Sequence, residues 1–185
     1  MIEDSGAEAV RRLAARGVHI EPGLTGAEFD RIERTFGFAF ADDHRAFLAA
    51  GLPLDGPRWP DWRDGGPEEL RERLGRPVEG VLFDVEHNGF WHREWGERPD
   101  GTAAALGAAR RHLARVPTLV PVFGHRYLPS GRGSSGHPVL SVYQTDIIYY
   151  GVDLLDYLHR EFGTAPGRNG TDDPEATVPF WRDFV

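Results

Sequence analysis

The sequence predicts an α+β fold: a mainly antiparallel sheet flanked by helices, with the helices first and a closing C-terminal helix. Three observations carry this. Punctuated helical patterns fill the chain before Pro53, β-rich runs cluster between Thr118 and Tyr150, and the two do not alternate as βαβ units. The 185-residue length suits one domain, able to bury roughly 70% of its unfolded surface.

Ala7 to Arg16 reads as a loosely attached leading helix. The next helix starts at Thr25, because Thr25-Gly26-Ala27-Glu28 has the spacing of a capping box. Phe29, Ile32 and Phe36 then share one buried stripe, Asp30 and Arg34 lie four apart on the outer side, and Gly37 stops the helix. A short helix follows from Asp42 to Gly51, with Pro53 beyond it. The stretch from Pro53 to Gly66 is too rich in Pro and Gly for a regular element. It carries Trp59 and Trp62, which favour burial, so an ordered loop is expected.

Pro67 suits the first position of a short helix ending at Leu74. Val81, Phe83 and Val85 alternate with Leu82, Asp84 and Glu86, the pattern of a half-buried strand. Leu106, Ala109, Leu113 and Val116 have helical spacing, with Thr102 as cap and Pro117 as terminator. Extended runs at Thr118–Phe123, Pro138–Tyr143 and Ile147–Tyr150 supply the sheet. Asp153 opens the last helix, which buries Leu154, Leu155, Leu158 and Phe162 and ends at Gly163. Residues 164–177 read as a flexible tether. The tail from 178 to 185, with Phe180-Trp181-Arg182-Asp183-Phe184, is too aromatic to stay in water and should dock back.

Composition excludes several chemistries. All 21 basic residues are Arg, and there is no Lys and no Cys. Schiff-base and Lys general-base catalysis, thiol nucleophiles, cysteinyl metal sites and disulfides are therefore impossible, and a guanidinium cannot stand in as a base. A net charge of −8 argues against a nucleic-acid partner, which normally meets a basic face. No apolar run approaches the roughly 20 residues that span a bilayer, so no membrane association is expected. The acidic start Met1-Ile2-Glu3-Asp4 lacks the order of a signal peptide, which points to a cytoplasmic protein and an inert sequon at Asn169.

Gly131-Arg132-Gly133-Ser134-Ser135-Gly136 matches the dinucleotide fingerprint by letter, but a strand follows it where a helix should start. A flexible loop is the better account. Ser134 and Ser135 also lack the spacing of a nucleophile elbow. His87, His125 and His137, with Asp84 or Glu86, form a conceivable His/carboxylate metal set, although they are far apart and lack paired-His spacing. Ordinary hydrogen-bonded histidines are the preferred reading, with neither metal nor cofactor. In Ser141 to Ile148 the alternation puts Ser141, Tyr143 and Thr145 on one face and Val142, Gln144 and Asp146 on the other. The pairs Trp59/Trp62 and Trp91/Trp95 suit either core filling or a groove.

One resemblance adds to this. Gly23-Leu24-Thr25-Gly26-Ala27-Glu28-Phe29 leading to Phe36-Gly37-Phe38-Ala39-Phe40-Ala41-Asp42-Asp43-His44-Arg45-Ala46-Phe47-Leu48 resembles the opening of the SUKH (Smi–Knr type) superfamily. Val85 to Trp91 and Ser141 to Gly151 look like a bacterial branch of it, over about 22–163 and the Pro179-Phe180-Trp181 end; Ala41 stands where the family usually has Pro. The resemblance implies an α+β domain without established catalysis that binds other proteins. Members include bacterial immunity proteins that neutralise polymorphic toxins and fungal cell-wall regulators. The expected function is a non-enzymatic protein-binding domain with a protein partner, a toxin domain among the possibilities. The alternative is a His/carboxylate metal-dependent enzyme or a small-molecule-binding protein. Glu86, His87, Asn88, Trp91, Arg126, Gln144 and Asp146, at the strand ends, are the expected partner-binding residues; no catalytic residue is assigned.

Overall fold

A computed structural model describes residues 2–163, 174 and 177–185. In chain order these form α1 (Ile2–Ala15), β1 (Ile20–Glu21), α2 (Gly26–Phe36), α3 (Asp42–Ala50), β2 (Leu52–Pro53), α4 (Pro67–His87) and α5 (Thr102–Leu113). Then come β3 (Leu119–Phe123), β4 (Arg126–Pro129), β5 (Val139–Tyr143), β6 (Asp146–Gly151) and α6 (Leu154–Phe162). Short 3₁₀ turns lie at Arg93–Trp95 and Trp181–Phe184. Strands β3-β4-β5-β6 make an antiparallel meander in that order, and β1 pairs with β2 in a separate two-stranded ribbon. The α+β class with an antiparallel sheet and flanking helices is therefore present.

The sheet separates two cores. Leu119, Tyr127, Leu140, Val142 and Ile147 face α4 and α5, where Val81, Val85, Ala105 and Leu113 meet them. Val120, Leu128 and Val139 alternate to the other side and pack with Phe29, Ile32, Phe47 and Leu158 of the remaining helices. Both Trp of the Pro-rich loop are buried in this second core, as its composition requires.

The helix punctuation is largely as read. Thr25 and Glu28 form the reciprocal capping box, and Glu28 also accepts from Arg63 at 2.6 Å. That bond, with those from Thr25, holds the Glu28 carboxyl down to about 2. Asp153 caps α6 through the Asp156 N–H, and α2 and α6 end at Gly37 and Gly163. Helix α1 is not loosely attached. Leu13 is fully buried, and Gly6 approaches α3 so closely that a Cβ there would lie 2.7 Å from the Ala46 carbonyl. Thr102 is the first residue of α5 rather than its cap, a position taken by Gly101.

The main departure is α4. The expected short helix and the expected strand at 81–86 are one continuous helix of 21 residues. Its buried positions Leu70, Arg73, Pro77, Val81, Leu82 and Val85 follow helical spacing, whereas Phe83 is exposed. Pro77 lies inside it, and a Pro has no N–H for the carbonyl four residues back. That carbonyl belongs to Arg73, and the buried hydroxyl of Tyr127 donates to it from β4 at 3.1 Å. A tertiary hydrogen bond thus replaces the missing helical one, so the helix passes through the proline.

Strand β4, only four residues long, has no counterpart among the extended runs read from the sequence. The extended runs at 138–143 and 147–150 are the arms of the β5–β6 hairpin. The alternation through 141–148 does not hold, because Gln144, at φ 56°, and Thr145 form the turn and put Tyr143 opposite Asp146. In the tail, Trp181 is fully buried and its Nε1 donates to the Pro117 carbonyl at 2.8 Å. The expected tether, and the sequon with it, lies outside the described residues apart from 174 and 177. Among the described residues, no helix is long and apolar enough to cross a membrane.

Candidate functional site

Several of the expected partner-binding side chains lie at or beside the end of the sheet marked by the β5–β6 turn. Opposite residues in the hairpin share a face, so Tyr143 and Asp146 lie on the same side as Ser141 and Ile148. This is the side that, further along at Val139 and Tyr150, packs against the α6 core. Toward the turn that cover runs out. Tyr143 is 69% exposed and Ile148 is 50% exposed.

Arg126 borders this open face. It pairs with Ser141 across β4 and β5, and its Nη1 donates to the Ser141 hydroxyl at 2.9 Å. Its guanidinium lies over the Tyr150 ring at 3.9 Å, and its Nε is 3.6 Å from the Glu161 carboxylate. That distance is too long for a hydrogen bond, so Arg126 Nε and Glu161 Oε2 are buried polar atoms without a hydrogen-bond partner. The hydroxyl of buried Tyr157, one turn before Glu161, is in the same position; burial first, then the Glu161 charge, pushes its pKa well up. Beside them, burial and then the Arg126 charge lower the His125 pKa.

A second group sits behind the turn. Asp84, near the end of α4, accepts from the Thr145 N–H at 2.9 Å and from its hydroxyl at 2.6 Å, and from the Asn88 amide. Burial acts to raise the Asp84 pKa, but these bonds outweigh it and hold the carboxyl low. Gly80 presses against the turn, since a Cβ there would lie 2.8 Å from the Gln144 Cα. The structure therefore brings Asn88 and Gln144 to one tip, and Asp146 lies exposed beside it. Glu86 and His87 are exposed at the end of the same helix, 3.5 Å apart, with the His87 ring against Phe83.

Trp91 belongs elsewhere. It is half-buried, edge-on to Trp95, and its Nε1 donates to the Gly96 carbonyl at 2.9 Å, so it closes its own loop rather than lining a groove. Reasoning from sequence missed Tyr143, Ile148, Ser141 and Glu161. The one available signal was the alternation from Ser141 to Ile148, which becomes informative once the turn is placed at Gln144.

The set His87, His125 and His137 does not converge. Among the described residues the only His/carboxylate group with all ligand atoms within 4.8 Å is His92, Glu94 and Asp183. There His92 Nδ1 faces the Glu94 N–H at 3.3 Å, and Nε2 is 3.2 Å from Asp183 Oδ2. With Nδ1 accepting from the Glu94 N–H, a neutral ring carries its hydrogen on Nε2 and donates a hydrogen bond to Asp183 Oδ2. It has no lone pair there for a cation, and the group acts as a clasp between the 92–95 turn and the docked tail.

No family model matches the chain, and neither does any curated protein or solved structure.

Proposed function

We propose that the chain is a non-enzymatic protein-binding domain whose contact surface is the open sheet face at the β5–β6 turn. One observation carries this reading. Tyr143 and Ile148 stand exposed on a strand face whose other end is covered by a helix, with Asp146 and the Arg126–Glu161 pair at their border. Large apolar side chains framed by charged groups are the composition of an interface centre and rim. A rigid aromatic such as Tyr143 contributes contact area at low entropic cost. The likeness to the SUKH superfamily points the same way, and within it the immunity-protein role fits an acidic chain that masks a basic toxin domain.

The test is a photo-crosslinking side chain placed at Tyr143 and, as control, at exposed Asp30, in cells that make the protein natively. The expected result is a discrete adduct at position 143 that disappears with Ile148→Glu. Identical patterns from both positions would refute the surface. An adduct with a toxin, together with rescue of growth on co-expression, would support the immunity role.

A further inference from the structure

A cleft of about 300 Å³ opens between the N-terminal half of α1, the start of α3, the Ser135–Gly136 loop and the first turn of α6. Its volume is at the small end of the range for organic ligands. Buried Ala9, Phe47 and Leu154 give it apolar walls. Ile2 stands at the rim 41% exposed, one of few large apolar side chains left in solvent among the described residues.

The wall formed by the Gly-rich loop is fixed in place. The Asp42 N–H donates to the Ser134 carbonyl at 2.7 Å, while Asp42 Oδ1 accepts from the Gly133 N–H and Asp43 Oδ2 from the Gly136 N–H, each at 2.9 Å. The segment expected to be flexible is thus tied across the start of α3. These same carboxylates occupy the positions where a phosphate would have to sit, so the loop's fingerprint spelling does not make an anion site.

The polar groups lining the cleft are Ser5, Asp43, Ser135 and Asp153: two hydroxyls and two carboxylates, with no Arg or His. Asp153 is engaged in capping α6. Asp43 accepts from the His44 and Gly136 N–H groups, and neither bond brings a positive charge. Burial pushes the Asp43 carboxyl up, against the effect of those bonds and of nearby His137. A cation arriving beside Asp43 meets an anion that is only partly compensated, in a lining that repels other anions.

We propose that this cleft binds a small organic ammonium ion, an amine whose apolar body lies on Ala9, Phe47 and Leu154 and whose charged head meets Asp43. The apolar contact supplies affinity and the carboxylate supplies selectivity for charge. This site shares no residue with the protein-binding face and stands or falls independently of it.

The full chain is titrated by calorimetry with phenethylammonium, and with phenylacetate and phenethyl alcohol as probes of the same shape but opposite or no charge. Amide shifts in nuclear magnetic resonance locate the site. The expected result is saturable one-to-one binding of the ammonium, shifts at Gly6, Asp43 and Gly136, and at least roughly tenfold weaker binding of both other probes. Asp43→Asn should weaken the ammonium by a similar factor while circular dichroism shows the fold intact. Ser135→Trp, at an exposed position, should block the cleft and abolish binding. It serves as the deciding variant if Asp43→Asn fails to fold. The proposal is overturned by no saturable ammonium binding, by phenylacetate or the alcohol binding equally well, by shifts elsewhere, or by Ser135→Trp binding like the parent.

Discussion

Acidification should unfold this protein in part through one histidine. His44 is 1% exposed, lies edge-on to Phe40 at 5.2 Å, and leaves its buried Nδ1 without a hydrogen-bond partner. Burial alone pushes its pKa down from 6.5 to about 3. Between those values the unfolded chain takes up a proton at this ring and the folded chain does not. Stability from the neutral buried ring is therefore complete above 6.5 and is lost progressively as the pH falls toward 3. Each pH unit in that window is worth about 1.36 kcal/mol, so going from about pH 6 to about pH 4 costs about 2.5 kcal/mol at this residue. Other groups titrate over the same range, but they do so equally in a variant lacking only this ring. Urea unfolding of the parent and of His44→Leu at about pH 6, 5 and 4 isolates the effect. The parent should lose about 2.5 kcal/mol more than the variant, with unchanged denaturant slopes. Two stability curves that stay parallel would refute the reasoning, because they would mean that His44 titrates alike in both states.

Further outcomes follow from the same structure. Tyr127→Phe leaves the Arg73 carbonyl unpaired and should cost about 1–3 kcal/mol; in a Pro77→Ala background, where a helical N–H returns, chemical denaturation should show a smaller loss. Gly80→Ala, a change that usually helps an exposed helix, should destabilise by about 1–3 kcal/mol in a thermal melt, because its Cβ would meet the Gln144 backbone at 2.8 Å. Trp181→Ala should cost about 3–5 kcal/mol and raise protease sensitivity at the tail. Tyr143→Ala and Ile148→Ser should each leave stability within about 0.5 kcal/mol while weakening partner crosslinking.

How much of this could be read in advance depended on how far apart the deciding residues lie. Thr25 with Glu28, Asp153 with Asp156, and Gly163 each settle a helix end within four residues, and all were legible. Helix α4 was not. Val81 to Glu86 fits a two-residue alternation as well as a helical stripe, and Pro77 argues locally for a break. What decides the matter is the Tyr127 hydroxyl, 54 residues from Arg73. The candidate site shows the same limit. Asn88 and Gln144 come together because Thr145 bonds Asp84 across 61 positions, so their residue types suggested function while their proximity could not be read.

The absence of Lys takes on meaning at this level. Composition treats it as a loss of chemistry, but the fold uses the planar, five-donor guanidinium where an ammonium would serve poorly. Arg73, almost fully buried, binds Glu69 and reaches the carbonyls of Pro57 and Arg58, fastening the Pro-rich loop to α4. Arg31 reaches two carbonyls of the following loop segment, Trp62 and Arg63. Arg45, Arg58, Arg71 and Arg126 each lie over an aromatic ring, of Phe29, Phe123, Phe36 and Tyr150 respectively. Of these, Arg73 and Arg126 are largely buried, whereas Arg31, Arg58 and Arg71 stay in solvent while holding a ring or a carbonyl. The formal charge of −8 is the electrostatic setting shared by the proposed protein face and the ammonium cleft.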